Sequence, residues 1–209
     1  MLKIVHIPLD ERPCNYDFPK LMFQGKEFDI VRVPFEYMGL KKRPGKIDKI
    51  QEFFENECKD AYAAILSIDT LIYGGIVPSR LHYNTIEEVS ERLEVIQRVK
   101  KANPNIKIYA YNLVMRCPHY DDDDEEPYYY QHYGLRIHDK KAIEHKMKVN
   151  VATKEEIDYY NSIDIPFEYE NDYAKRREVN TAVTVNVVNL VAEGIIDFLI
   201  VPQDDSAPY

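Results

Sequence analysis

Four short apolar runs in this sequence are each followed by residues that can do chemistry. These residues are Asp10-Glu11-Arg12 with Asn15, Asp69 with Tyr73, Gly74 and Arg80, then Arg116, and Gln203-Asp204-Asp205. Paired carboxylates divide the roles of general acid and general base when their surroundings push their pKa values apart. Arginine clamps anionic or hydroxyl-rich groups through paired N–H donors. Glycine lets a backbone approach a ligand closely. On this chemistry Asp204 and Asp205 are assigned the catalytic role, with Asp205 as general acid and Asp204 as the group that orients the reacting atoms. Asp10, Glu11, Arg12, Asn15, Asp69, Tyr73, Gly74, Arg80, Arg116 and Gln203 are assigned to substrate binding.

Each assignment has a plainer counterpart. Asp10 to Pro13 could form a turn closed by a local ion pair. Asp69 could cap a helix, and Gly74-Gly75 could simply make a turn. Asp205-Ser206 could be an Asx turn. The run Asp121 to Glu126 holds six consecutive carboxylates. Mutual repulsion favours a solvated loop there, with a cation site or an active-site lid as the alternative. Cys117-Pro118-His119 with Asp121 resembles a metal fragment, but lacks a second ligand pair at zinc spacing. No residue is therefore assigned as a metal ligand. His132, His138 and His145 share no i,i+4 spacing, and His6 reads as a core residue.

Three functions are compatible with this set. Two carboxylates around a sugar ring are what glycoside hydrolysis requires, and the Asp204-Asp205 pair is similar to that of substrate-assisted N-acetylhexosaminidases, an analogy at the level of fold. In that reading Tyr73 and Tyr209 substitute for the indole platforms of a chain with no Trp. Alternatively, Asp10, Asp69, Asp204 and Asp205 supply hard oxygen ligands for Mg²⁺ or Mn²⁺, and the arginines hold an anionic substrate for a hydrolase or lyase. The third function is a non-catalytic binding module. No G-x-G-x-x-G and no G-x-x-x-x-G-K-[ST] occurs, so dinucleotide and P-loop chemistry lose their main support.

The elements that must position these residues alternate along the chain. Apolar runs at 2–8, 28–33, 61–68, 106–114 and 195–202 predict strands covered on both faces. Helical spacing marks 46–58, 85–102 and 172–193. Thr85 with Glu88, and Thr153 with Glu156, form capping-box signals, and Gly194 suits a C′ position. The alternation predicts an α/β fold, a parallel sheet of about five strands with flanking helices. The expected form is an incomplete (β/α) barrel, with an open doubly wound sheet as the alternative. The chain reads as a single α/β domain, 1–209, with a helical and acidic insertion at about 117–170, and as part of a longer parent.

Composition sets the outer bounds. The 209 residues carry a formal charge of −9, which argues against phosphate neutralisation and hence against a nucleic-acid partner. No apolar run reaches the ~18 residues of a membrane span. Three widely spaced cysteines read as reduced thiols of a cytoplasmic protein. The expected partner is a small molecule or sugar.

Three blocks carry a resemblance: I-P-L-D-E-R-P-C-N at 7–15, S-I-D-T-L-I-Y-G-G-I-V-P-S-R at 67–80, and V-P-Q-D-D-S-A-P-Y at 201–209. Together with Y-A-Y-N-L-V-M-R at 109–116 and the acidic stretch, they resemble a bacterial family defined only as a domain of unknown function (number four-one-two-seven). The resemblance covers essentially the whole chain. It implies longer members that continue with glycine after a motif like Ala207-Pro208-Tyr209, and it implies no particular activity.

Overall fold

The computed structural model describes residues 1–203. Five strands form one all-parallel sheet: β1 (Leu2–Ile7), β2 (Phe28–Arg32), β3 (Ala63–Ser67), β4 (Lys107–Tyr111) and β5 (Phe198–Ile200). Their order is β2-β1-β3-β4-β5, and the sheet is open. That order is the doubly wound alternative; a barrel would keep sequential neighbours side by side and close. The cause is a reversal of crossover direction. The chain steps from β1 outward to β2, returns past β1 to β3, and then proceeds steadily to β5.

The helices follow from those directions. Between β1 and β2 lie two short helices, α1 (Pro13–Tyr16) and α2 (Phe18–Phe23). After β2 come α3 (Ile47–Glu57), α4 (Ile68–Tyr73) directly after β3, and α5 (Ile86–Ala102). The insertion supplies α6 (Tyr130–Lys148) and α7 (Lys154–Ser162), and α8 (Phe167–Ala192) leads to β5. Both capping boxes are present, Thr85 with Glu88 and Thr153 with Glu156. Gly194 follows α8 at φ +72°. The final strand is shorter than its apolar run.

Right-handed crossovers that all step the same way place their helices on the same face. Accordingly α5 packs against both α3 and α8. The main core lies beneath them: Val5, Ile7, Leu66 and Ile108 of the sheet meet Ile50 and Phe54 of α3, Leu93 and Ile96 of α5, and Val183 and Val187 of α8. Only the β1–β2 connection turns to the opposite face. Ile65, Tyr109 and Phe198, which lie in register across β3, β4 and β5 on that face, are 39%, 40% and 55% exposed. The expectation of strands covered on both faces thus fails for this half of the sheet. The insertion has a smaller apolar cluster of its own, built on Met115, Tyr129, Tyr130, Ile137 and Tyr173.

Among the described residues no helix is long and apolar enough to cross a membrane. Cys14, Cys58 and Cys117 are free thiols.

Gly74 ends α4 at φ +85°, a left-handed conformation that glycine adopts without a Cβ clash. A Cβ there would lie 2.6 Å from the Gly45 nitrogen, whose N–H donates to the Gly74 carbonyl at 2.9 Å. The residue therefore seats the loop that precedes α3. Gly74→Ala is expected to cost about 2 kcal/mol or more through left-handed strain and the clash. Chemical denaturation measures it; an unchanged midpoint would contradict this packing.

Candidate functional site

In a sheet of this order, the chain leaves β1 and β3 in opposite directions. The crevice beyond the carboxyl ends of those two strands is where such folds bind ligands. A cavity of about 360 Å³ lies there, lined by Asp10, Glu11 and Arg12 after β1 and by Gly74 to Pro78 after α4. The loop Gly39 to Lys41 and the acidic residues Asp124 and Glu125 complete its wall. The two sides are tied together, since the Thr70 hydroxyl donates to the Leu9 carbonyl at 2.7 Å.

The β1 side is organised by Asp10, which is buried. One of its oxygens accepts from the Arg12 backbone N–H at 3.0 Å and from the Asn15 amide at 2.8 Å. The other accepts from Arg12 Nε at 2.8 Å and pairs with Arg12 Nη2 at 2.6 Å. Asp10, Arg12 and Asn15 are therefore brought together as the local ion-paired turn. Glu11 points away from that cluster and accepts from the Lys41 N–H at 2.9 Å. It fixes the outer loop at a residue whose φ is +51°.

Asp69 is buried in the first turn of α4 and accepts from the Leu113 N–H at 3.1 Å. It ties the end of β4 to the end of β3. The helix cap is Ser67, whose hydroxyl accepts from the Thr70 N–H at 3.2 Å. Tyr73 does not reach the cavity. It is buried, its ring stacks on His82 at 4.4 Å between centroids, and its hydroxyl has no hydrogen-bond partner among the described residues. It cannot act as a sugar platform from that position. Gln203 pairs with Val114 and lies, with Arg116, on a second cavity described below. Asp204, Asp205 and Tyr209 fall outside the described residues.

The acidic run departs in part from its sequence reading. It is a loop whose first residues, Asp121 and Asp122, are exposed as expected, while Asp123 to Glu126 are each paired with a cation and form a strap. Asp123 and Asp124 meet Lys42 and Lys41 of the outer loop. Glu125 lies 3.0 Å from Arg80 and 3.3 Å from Arg116, and Glu126 lies 2.7 Å from Arg116 and 3.6 Å from Arg80. Arg80, Arg116 and Glu126 are all buried. Burial pushes the Glu126 carboxyl above its ordinary value, although both guanidiniums pull it down. The strap thereby carries Glu125 to the cavity wall. The acidic strap has the place that the lid alternative gives it, whereas the outer loop carries no signal in the sequence, because its role depends on pairing across 83 residues, from Lys41 to Asp124.

One family model matches residues 4–209; it carries the description "Protein of unknown function (DUF4127)". The chain belongs to the DUF4127 family. No curated protein and no solved structure matches it. In this DUF4127 chain two of the three sequence blocks that carry the resemblance, 7–15 and 67–80, form the two banks of the crevice, and the acidic stretch adds Asp124 and Glu125 to its wall.

Behind the crevice, His82 is held neutral. Its Nδ1 accepts from the Asn84 N–H at 3.2 Å, so Nε2 carries the proton toward Asn180 Oδ1 at 2.8 Å. Asn180 in turn donates to the Ser79 carbonyl at 2.9 Å, which fixes that amide's orientation. Burial lowers the His82 pKa to about 4, and burial with Arg32 lowers that of His6 to about 4. Both folded-state values lie below the unfolded value of about 6.5, so protonation favours unfolding. Stability should be full above about pH 6.5 and fall as the pH drops toward 4. His82→Gln should flatten that fall in denaturant midpoints taken at stepped pH. Parallel curves for the two proteins would contradict the assignment.

Proposed function

We propose that this chain binds a small hydroxyl-rich molecule in the β1/β3 crevice and acts on it as a carbohydrate-active hydrolase. The supporting observation is the cavity itself. Four carboxylates line it, Asp10, Glu11, Asp124 and Glu125, beside Arg12, Gly74 and Gly75. Asp10 is paired with Arg12 and Asp124 with Lys41, which leaves Glu11 and Glu125 as the pair proposed to meet the ligand. Carboxylates in unlike settings are what acid–base cleavage of a glycosidic bond needs. Glu125 faces two arginines and Glu11 a single backbone N–H. Arginine and carboxylate together suit hydroxyl groups, which both donate and accept. Asp204 and Asp205 remain the proposed catalytic pair of the terminal motif, with Glu125 added as a carboxylate that contacts the ligand. The cytoplasm is the proposed location, on the three free thiols.

The divalent-metal reading with Asp10 and Asp69 has less support. Both oxygens of Asp10 are already occupied by Arg12 and Asn15. A non-catalytic module is favoured by one observation, the exposed apolar row of Ile65, Tyr109 and Phe198 on the sheet.

A panel of nitrophenyl glycosides, assayed with and without EDTA, tests the proposal alongside thermal shifts with free sugars. Turnover that survives EDTA and falls at least about 100-fold in Glu125→Gln or Asp205→Asn is the expected outcome. No turnover and no sugar-dependent shift across the panel would overturn it and leave the non-catalytic reading.

A further inference from the structure

The second cavity is larger, about 970 Å³, and lies between the loop that leaves β4 and the helices α6 and α8. His119 from that loop and His138 of α6 line it. With Asp139 they form a group of three ligand atoms all within 4.8 Å of one another. Asp139 Oδ1 lies 3.2 Å from His138 Nδ1 and 3.4 Å from His119 Nε2. Ligand atoms held ~2.0–2.1 Å from a tetrahedral ion are necessarily about 3.3 Å apart. The two distances to Asp139 match that value, and the two imidazole nitrogens lie within 4.8 Å of each other.

We infer that His119, His138 and Asp139 form a binding site for a first-row divalent cation, zinc foremost. Two imidazoles and one carboxylate are the ligand set of such ions, whereas Mg²⁺ and Ca²⁺ prefer all-oxygen shells. The carboxylate is also oriented from behind: Asp139 Oδ2 accepts from the Tyr159 hydroxyl of α7 at 3.0 Å. Outer hydrogen bonds of this kind fix a ligand's geometry and sharpen metal affinity. His138 and Asp139 are partly buried, while the His119 side chain is 51% exposed. The cavity side of the ion is therefore open to water or a ligand. Three protein ligands with an open fourth position is the arrangement of a reactive site, not of a closed structural one.

Sequence spacing hides this site, because His138 and Asp139 come from a helix that begins more than ten residues after His119. The site stands apart from the β1/β3 cavity and does not depend on what that cavity binds. Its ion would pin the chain just ahead of the acidic strap to α6.

Titration of the metal-free chain with Zn²⁺ by calorimetry, and with Co²⁺ by visible absorption, tests the site. One equivalent should bind, with Co²⁺ bands of a four- or five-coordinate centre. His138→Ala and His119→Ala should each weaken binding at least about 100-fold, and Tyr159→Phe about tenfold. Circular dichroism of the variants separates loss of ligand from loss of fold, and His119, on an exposed loop, is the variant that keeps the fold. Three results would overturn the inference: no stoichiometric binding, binding unchanged in His119→Ala, or an equal response to Mg²⁺. Loss of binding in Cys117→Ser with the histidine variants unaffected would also overturn it.

Discussion

Two arginines buried at the carboxyl end of the sheet set the terms for everything built above it. Arg80 and Arg116 come from different strand ends and share Glu125 and Glu126 between them. A charge taken out of water is costly unless it is paired and hydrogen-bonded. The strap that carries the two glutamates is therefore not free to lie elsewhere. Once it is anchored, Asp123 and Asp124 fall against Lys42 and Lys41, and the outer loop closes the crevice from the far side. Tyr120 completes the anchor, accepting from Arg116 at 2.6 Å.

The sheet makes that arrangement useful. Reversal of crossover direction between β1 and β3 opens a crevice that no helix fills, and the strap roofs it. The same topology leaves Ile65, Tyr109 and Phe198 uncovered on the other face, because every connection after β2 places its helix on one side. Crevice and bare face are two outcomes of one winding pattern. The insertion between β4 and β5 then adds what the sheet alone lacks: the strap, a second cavity, and the imidazoles along it.

Local signals in the sequence were legible where local physics decides. Thr85 with Glu88 and Thr153 with Glu156 mark their helices, because a capping box satisfies its own backbone within four residues. Strand positions were readable from apolar runs, but strand order was not, since nothing near β1 states that β3 will lie beside it. Helix α6 lies within the expected helical insertion, but its bounds are not legible because its buried residues, Tyr130, Gly134, Ile137 and Ile143, form no continuous apolar stripe. In the site, Asp10, Glu11, Arg12 and Gly74 were identified and do line the crevice. Tyr73 falls outside the crevice wall because it is buried against His82, nine residues further on. The exposed loop expected at the acidic run holds for Asp121 and Asp122, but the cations that pair Asp123 to Glu126 are distant in sequence and so not legible in it.

The central claim is that the buried Arg–Glu cluster, and not the sheet, holds the strap over the crevice. Amide hydrogen exchange on Glu126→Gln tests it most directly. Exchange should accelerate through residues 120–126 and the outer loop at 39–43, while β1, β3 and β4 keep their protection. Strap protection that stays unchanged in this variant, or that is lost only together with that of the sheet, would contradict the account.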